Sequence, residues 1–352
     1  MITYLVFIGI ALALTVLFLL YRTQVLLNVL QGKLKTTSRV DGANKIHGIL
    51  FFLFMVLFFV GMFVGQEVYK KYYLPEPASL HGVDTDYMFW FSMILIIVAF
   101  IITNLLLFTF PWRYQYKADR KAHFFPDNHT IEIIWTIVPA AVLTVLLFWG
   151  LKLWTSITSP APQDAQVIEV MGKQFAWQVR YPGKDSKLGK YNFKRIDANN
   201  EFGIMVEDAH SEDDFIPREL HLLKGKPVEL KIRARDVIHS VFLPHFRVKM
   251  DAVPGMQTNF WFVPTISTKE MRAKLNKPDF NYELACTEVC GRGHFAMRFL
   301  VVVDEPQEYA KWLAEQKSWK SQNEDYFAAK KKEVSASQKT ASVENEKKVA
   351  SF

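Results

Sequence analysis

Four long apolar segments constrain this chain of 352 residues more strongly than any other feature. They lie at about residues 2–20, 49–65, 87–110 and 131–153. A helix needs roughly 18 to 20 apolar residues to cross about 30 Å of hydrocarbon, and only a helix or a closed barrel satisfies its backbone there. Because these runs are unbroken and lack the alternation of barrel strands, we predict four membrane-spanning helices.

Basic residues in the short loops predict the orientation, because Lys and Arg are retained on the cytoplasmic side. The loops after the first and third segments are rich in Lys and Arg, whereas residues 66–86 hold only Lys70 and Lys71 against four carboxylates. We therefore expect a bacterial inner-membrane protein whose N-terminus and whose chain after Leu153 are periplasmic. The first segment has a competing interpretation as a cleaved signal peptide, although it lacks a basic start.

The formal net charge of +7 is a topology signal rather than a sign of nucleic-acid binding. Much of the basic excess lies in the loops that flank the apolar segments and in the Lys-rich C-terminus. We therefore predict membrane lipid as a partner and no nucleic acid.

The chain changes character after a short linker at residues 155–162. Brief alternating or β-branched runs follow, which predicts an antiparallel sandwich or barrel. Residues 181–216 are typical of an insertion, whose acidic run at 207–214 is either a solvated loop or a surface that steers a basic partner. The predicted division is a two-helix extension (1–66), a two-helix anchor (86–154), an outer domain (160–305), a short helix (306–322) and a disordered Lys-rich tail (323–352).

The sequence Cys-Thr-Glu-Val-Cys-Gly-Arg-Gly-His-Phe-Ala-Met, from Cys286 to Met297, places two thiols, an imidazole and a thioether within twelve positions. Soft sulfur ligands with imidazole favour copper over hard cations. Gly291 and Gly293 permit a tight loop in which the donors converge. The alternatives are a disulfide and a structural zinc site, but zinc sites normally use Cys-x-x-Cys spacing and have no use for Met.

The set of donors also bears on the number of metal ions. A mononuclear blue-copper site needs one Cys, two His and a Met, so this chain has one thiol too many. Two Cys, two His and a Met fit two copper ions bridged by both thiolates, with His239 of Asp-Val-Ile-His-Ser as the second imidazole. Shared thiolates spread one electron over both ions, which favours fast transfer. The two Cys do not form a haem-attachment motif, and we predict no haem on this chain.

These motifs resemble those of cytochrome c oxidase subunit II, over about residues 86–305. The similar segments are residues 129–136, 236–240, 249–255 and 286–297. The resemblance implies a cupredoxin-type Greek-key β-barrel behind the transmembrane helices. Quinol-oxidising members of the family lack the copper thiolates, so Cys286 and Cys290 favour a protein electron donor.

The resemblance also implies individual roles for residues of this chain. The implied copper ligands are the bridging thiolates of Cys286 and Cys290, the terminal imidazoles of His239 and His294, the weak ligand Met297, and the backbone carbonyl of Glu288. In this family the Glu288 side chain also reaches a magnesium ion shared with subunit I, with Asp251 nearby.

Glu132, near the start of the fourth segment, has two interpretations. A carboxylate is favoured at a helix N-terminus near the membrane surface, and an ionisable residue at the edge of a bundle can also mark an ion route. Glu132 matches the family's carboxylate at the mouth of a proton channel into subunit I. That resemblance favours the second interpretation, a proton-path entrance.

The sequence departs from the family pattern in two places. Phe175 occupies a position where many members have Trp, so the expected electron-entry residue is either Phe175 or Trp177, and core packing is the role of at least one of them. The first two helices precede the family's usual anchor, and we hypothesise that they dock an additional subunit or a partner complex.

The expected function is electron entry into a respiratory cytochrome c oxidase. The chain would accept electrons from cytochrome c or another periplasmic donor at the copper pair and pass them to haem in subunit I. Oxygen reduction to water and proton translocation would follow in a complex that also holds subunit III, so this chain is not catalytic alone. The alternatives are an enzyme like nitrous oxide reductase and a membrane-tethered copper-binding or chaperone protein.

Overall fold

Four long helices precede the outer domain in the computed structural model, which describes residues 2–32, 36–117 and 119–335. Each is long and apolar enough to cross a membrane, which confirms the predicted number of helices. The helices are longer than the apolar runs because helical turns continue into the polar flanks. Their bounds are α1 Ile2–Leu30, α2 Thr36–Tyr69, α3 Leu80–Arg113 and α4 His129–Thr158.

Contacts divide the chain into two compact units. The first comprises Met1–Tyr73 and Met93–Val138, and the second comprises Leu74–Ser92 and Pro139–Phe352. The second unit contains the outer domain together with a segment that precedes and begins α3.

In the first unit, α2 packs against α3 through aromatic side chains. The ring centroids of Phe54 and Phe108 are 5.3 Å apart, and those of Phe52 and Trp112 are 5.0 Å apart. A Cβ atom at Gly48 would lie 3.2 Å from the backbone of Trp112, so glycine lets the two helices approach closely. The second helix of the extension therefore packs on a helix of the chain's own anchor.

The outer domain has nine strands among the described residues, arranged in two sheets. One sheet has the strand order β2-β1-β4-β7 and the other β3-β9-β8-β5-β6. The strands are β1 Gln166–Lys173, β2 Ala176–Arg180, β3 Leu220–Leu223, β4 Val228–Ala234, β5 His239–Leu243, β6 Val248–Ala252, β7 Thr258–Phe262, β8 Tyr282–Cys286 and β9 Arg298–Asp304. This arrangement confirms the predicted cupredoxin-type fold.

Two strand pairs differ from the predicted antiparallel pattern. β1 pairs with β4 and β3 pairs with β9 in parallel, whereas the other pairs are antiparallel. Parallel neighbours need a long crossover connection. The chain supplies one between β1 and β4, through β2, the insertion and β3, and this long-range connection leaves no local trace in the sequence.

The core of the domain is formed by alternate residues on the facing sides of the two sheets. Ile168, Val170, Leu230, Leu284 and Val301 are all fully buried in one cluster. Truncation of such a residue to Ala typically costs about 2–5 kcal/mol. The core therefore holds the strands that carry the candidate site in a fixed register.

Residues just before α3 and in its first turns pack on the outer domain within the second unit. Ser79 Oγ donates a hydrogen bond of 2.7 Å to the backbone oxygen of Phe246. Arg247 makes a two-pronged ion pair with Asp86, at 2.7 Å from Nε to Oδ1 and 2.8 Å from Nη2 to Oδ2. The sequence indicated residues 66–86 only as an outer connection, but Ser79 and Asp86 in this range bond to the outer domain.

The predicted disordered tail is wrong for residues 324–335, which form a helix. The physical reason is a second core, in which Phe327 and Trp319 pack with Met171 of β1 and with Phe202 and Ile204 of the insertion. The rest of the predicted tail, residues 336–352, lies outside the described residues. The helices after β7 are α5 Thr268–Leu275, α6 Pro306–Ala314, α7 Trp319–Gln322 and α8 (324–335).

Phe327→Ala tests the second core. Phe327 is 2% exposed, and loss of a buried Phe side chain typically costs about 3–5 kcal/mol, so α8 should open locally. Backbone amides of residues 324–335 should then exchange with deuterium markedly faster, as measured by mass spectrometry. Lys332→Ala, at an exposed position of α8, is the control, and equal exchange in both variants would contradict the account.

Candidate metal centre

The pairing register of β5 with β8 places the His239 imidazole next to the Cys286 thiol. Val241 lies directly opposite Cys286 in this antiparallel pair, and His239 lies two residues before Val241. Side chains two residues apart on a strand share a face, so His239 points to the same side as Cys286. His239 Nδ1 is accordingly 3.9 Å from Cys286 Sγ.

The loop between β8 and β9 folds the remaining donors back towards Cys286. The sulfurs of Cys286 and Cys290 are 3.9 Å apart, and the backbone oxygen of Glu288 is 3.3 Å from Cys286 Sγ. His294 Nδ1 lies 3.6 Å and Met297 Sδ 3.9 Å from Cys290 Sγ. The structure therefore brings together all six donors that the sequence singled out.

A backbone hydrogen bond closes this loop. The amide of Cys286 donates to the oxygen of Met297 at 3.1 Å, and the amide of Thr287 donates to the oxygen of Ser240 at 3.2 Å. The first bond ties the two ends of the motif together, and the second ties its beginning to β5.

The donor set suits a soft metal ion rather than a disulfide. The two sulfurs are much farther apart than the roughly 2.05 Å of an S–S bond, and both thiols are free and buried. His239, Cys286 and Cys290 offer ligand atoms that all lie within 4.8 Å of one another. Two thiols, two imidazoles and a thioether in one place favour copper among the common metals.

The buried thiols make metal binding dependent on pH. Burial, with the neighbouring Cys286 thiol, raises the pKa of Cys290 to about 11. Because the thiolate is the ligand, metal binding must displace the proton, and affinity falls as the pH falls. A bound metal cation would supply the charge that keeps the Cys290 thiolate ionised.

Asp236 is a candidate functional residue that the sequence reasoning did not assign. Its Oδ1 lies 2.8 Å from His239 Nε2, and a carboxylate only accepts, so Nε2 donates the hydrogen bond. Nδ1 is then the ring atom left for a metal. The spacing Asp-Val-Ile-His was the available signal, since metal-bound His residues usually donate their other nitrogen to a carboxylate or carbonyl oxygen.

Backbone amides hold Asp236 ionised. Burial alone would raise the pKa of Asp236, but hydrogen bonds from the Gln174 amide, from His239 and from the Val237 amide lower it below its ordinary value. The Gln174 and Val237 amides each lie 2.7 Å from the carboxylate oxygens. The carboxylate is thus fixed in place as an acceptor for His239.

The two candidate electron-entry aromatics differ in exposure and in the residues that they contact. Trp177 is 2% exposed, and its ring meets the edge of His239 at 5.9 Å between centroids. Phe175 is 42% exposed and lies over Gly291 and Gly293. A Cβ atom added to Gly291 would be 2.9 Å from the Phe175 side chain, and one added to Gly293 would be 2.5 Å from it. Phe175 is therefore the outer aromatic residue and Trp177 the inner one.

Glu288 and Asp251 lie on either side of Ser240. Asp251 pairs with Ser240 across β6 and β5, and the Ser240 oxygen accepts the amide bond from Thr287, the neighbour of Glu288. Both carboxylate side chains are exposed or half-exposed, and no hydrogen bond joins them among the described residues.

Glu132 lies in the first turns of α4, in the first unit. Asn128 caps this helix, accepting the Ile131 amide on its side chain at 3.2 Å. Glu132 Oε2 lies 3.3 Å from His129 Nδ1, and its side chain is 44% exposed. Its carboxylate is therefore near the N-terminal end of the helix and partly exposed.

Comparisons with known proteins decide the family. The profile described as "Cytochrome C oxidase subunit II, transmembrane domain" matches residues 67–153, and that described as "Cytochrome C oxidase subunit II, periplasmic domain" matches residues 166–304. The "Alternative cytochrome c oxidase subunit 2" of Bradyrhizobium diazoefficiens is 35% identical, over 63% of this chain and 77% of its own length. The chain belongs to the cytochrome c oxidase subunit II family.

Other similar proteins include a second curated relative and a solved structure. "Cytochrome c oxidase subunit 2" of Cereibacter sphaeroides is 27% identical over 68% of this chain and 76% of its own length. The crystal structure of the periplasmic domain of subunit II of cytochrome oxidase of Bradyrhizobium japonicum is 24% identical, covering 44% of this chain and 94% of that chain with a TM-score of 0.30.

Membership of the cytochrome c oxidase subunit II family makes the chain a membrane protein with a periplasmic domain, and a part of an oxidoreductase complex. Copper and electron transport follow from the family. The matched residues begin at 67 and end at 304, so they contain neither α1 nor the helices after β9. The two family models therefore do not describe those segments.

Asp236→Asn tests the role of the carboxylate behind His239. Because an amide is a weaker acceptor and can present an N–H to the ring, copper affinity should fall about 10- to 100-fold. Chelator competition on the full chain measures the affinity, and Asp279→Asn, at an exposed position, is the control. Unchanged affinity in Asp236→Asn would show that the hydrogen bond does not position His239.

Proposed function

We propose that this chain is the electron-entry subunit of a respiratory cytochrome c oxidase. It accepts electrons from a periplasmic donor at a binuclear copper centre and delivers them to haem in subunit I, where oxygen is reduced to water with proton translocation. The observation that carries the proposal is the convergence of six copper-type donors around two sulfurs 3.9 Å apart.

The residues around the centre have distinct roles in this proposal. A bound pair of copper ions supplies one-electron redox chemistry. The thiolates of Cys286 and Cys290 and the imidazoles of His239 and His294 would hold the pair, and Met297 and the Glu288 carbonyl would be its weak ligands. The buried and hydrogen-bonded frame keeps these donors in place in both oxidation states, which lowers the rearrangement that electron transfer requires.

Phe175 and Trp177 connect the centre to the donor side. Phe175 is exposed and contacts the glycines of the copper motif, so it is the first aromatic that a docked donor meets. Trp177 is buried against His239, which makes it a packing support for that ligand. We therefore choose Phe175 as the electron-entry residue and assign Trp177 to packing.

Glu288 connects the centre to subunit I. Its backbone oxygen faces Cys286 while its side chain is exposed, so one residue reaches both the copper and a neighbouring surface. We propose that this carboxylate, with Asp251 nearby, binds a magnesium ion at the border with subunit I. Exposed oxygen ligands are the type that magnesium prefers.

The membrane part supplies the remaining contacts of the proposed complex. Glu132 is the entrance of a proton path into subunit I, and subunit III completes the oxidase. The helix α1 and part of α2 precede the matched family region and dock an additional subunit or partner complex. Finding that neither helix contacts another subunit or protein in the assembled complex would rule out that docking role.

Cys290→Ser in the purified oxidase complex tests the proposed function. A serine hydroxyl cannot replace a bridging thiolate, so oxidation of reduced cytochrome c should fall by at least about 100-fold, as followed by absorbance. Thr287→Ser, a change within the same loop at an exposed side chain, should retain the rate. A Cys290→Ser complex with normal turnover would refute electron entry at this centre.

Glu132→Gln tests the proton-path entrance. The amide keeps the size of the side chain but cannot carry a proton, so oxygen consumption should slow severalfold while the copper spectrum stays the same. Asp127→Asn, at an exposed position just before α4, is the control. If Glu132→Gln consumes oxygen as fast as Asp127→Asn, Glu132 is only an interfacial residue at the start of the helix.

A further inference from the structure

The acidic run of the insertion is occupied by contacts within the chain. Glu207 pairs with Arg195 at 3.1 Å, and Glu212 pairs with Lys320 of α7 at 2.7 Å and with Lys331 of α8 at 3.1 Å. The other members, Asp208, Asp213 and Asp214, accept bonds from backbone amides or from the buried Arg180. The run therefore holds the insertion and the C-terminal helices together, and it is poorly suited to attract a basic partner.

A different surface surrounds the electron-entry residue. Gln174 joins three loops, because its amide donates to Asp236 and its side-chain nitrogen donates to the Cys290 oxygen at 2.5 Å. Phe175 then lies directly on Gly291 and Gly293. Four exposed residues of these three joined loops, Phe175, Val237, Ile238 and Arg292, are here called the entry surface.

The centre of the entry surface is apolar. Phe175, Val237 and Ile238 are 42%, 37% and 46% exposed. Clustered exposed apolar side chains beside a redox centre suit a protein partner, because burying them excludes water where the donor and the metal centre meet. The contact itself is thus hydrophobic, and its charged neighbours decide which partner approaches.

The charges at and around the entry surface are more basic than acidic. Lys173 and Arg235 both pair with the single carboxylate of Glu201, and Arg235 Nη1 lies 2.8 Å from Glu201 Oε2. Asp236 is committed to His239 and two amides.

Arg292, between the two glycines under Phe175, is exposed and has no acidic partner within 4 Å among the described residues. This surface thus has three cations, and its two carboxylates, Glu201 and Asp236, are already paired. The exposed carboxylate of Glu288 is not counted, because it is assigned above to the border with subunit I.

We propose that the entry surface is built for an electron donor that presents carboxylates around its own apolar contact, with Arg292 as the residue that attracts them. The proposal rests on the proposed function and specifies its partner as a small acidic haem or copper protein. Opposite charges at the rim of an interface act mainly by raising the association rate, by about 10- to 1,000-fold at low salt.

The test compares two charge forms of one donor on the complete oxidase complex. Reduced basic cytochrome c and the same protein with its lysines succinylated carry the same haem but opposite net charge. Stopped-flow absorbance measures the second-order rate of electron transfer to the complex at about 10 mM and 150 mM ionic strength, which shortens the Debye length from about 30 Å to 8 Å. The succinylated form should react faster at low salt and slow down at high salt.

Arg292→Glu should lower the rate of the succinylated donor about 10-fold at low salt, with an unchanged copper spectrum. Lys226→Glu is the matched control, because Lys226 is an exposed cation just before β4, at the end of that strand opposite to the copper centre. That variant should keep the wild-type rates.

Three results would overturn the inference. In the first, the basic form reacts faster than the succinylated form, and this advantage shrinks as salt is added. In the second, both forms react at the same rate whatever the salt concentration. In the third, the Arg292→Glu complex reacts with the succinylated donor at the wild-type rate. In each of these the complex still accepts electrons, so the proposed function stands while the acidic donor is rejected. Reduction by neither form, in a complex without bound copper, would instead reject both proposals.

Discussion

The pairing of β5 with β8 is the contact on which the rest of the site depends. Val241 lies opposite Cys286, and this register puts His239 and Cys286 on one face at 3.9 Å. A shift of one residue would turn His239 to the other face of the sheet and separate the two ligands. The buried core of the outer domain fixes this register, so packing far from the metal determines the geometry at the metal.

The loop after β8 adds a second requirement, because its backbone at Gly291 and Gly293 must lie close to Phe175 with no side chain between them. Gly291 has a φ of +132°, and a Cβ atom at Gly291 or Gly293 would collide with Phe175. The same glycines that let Cys290 and His294 fold back towards Cys286 therefore seat the aromatic residue of the entry surface. Metal binding and donor contact are built from one short segment.

The sequence predicted the parts that depend on local patterns. Long apolar runs indicated four helices, and the spacing of Cys286, Cys290, His294 and Met297 indicated a soft-metal loop. The parallel pairs of β1 with β4 and β3 with β9 were not predicted, because they depend on connections that span most of the domain. The helix at 324–335 was missed because charged residues and Ala make up most of its sequence, while Phe327 and Tyr326 pack in a core formed by distant segments.

Electron paramagnetic resonance combined with a copper determination on the oxidised, purified complex tests the central claim most directly. Two thiolates shared by two copper ions predict two copper ions per chain in this domain and one unpaired electron divided equally between both nuclei. One copper ion per domain, or an unpaired electron confined to a single nucleus, would contradict the binuclear centre and the electron-entry role built on it.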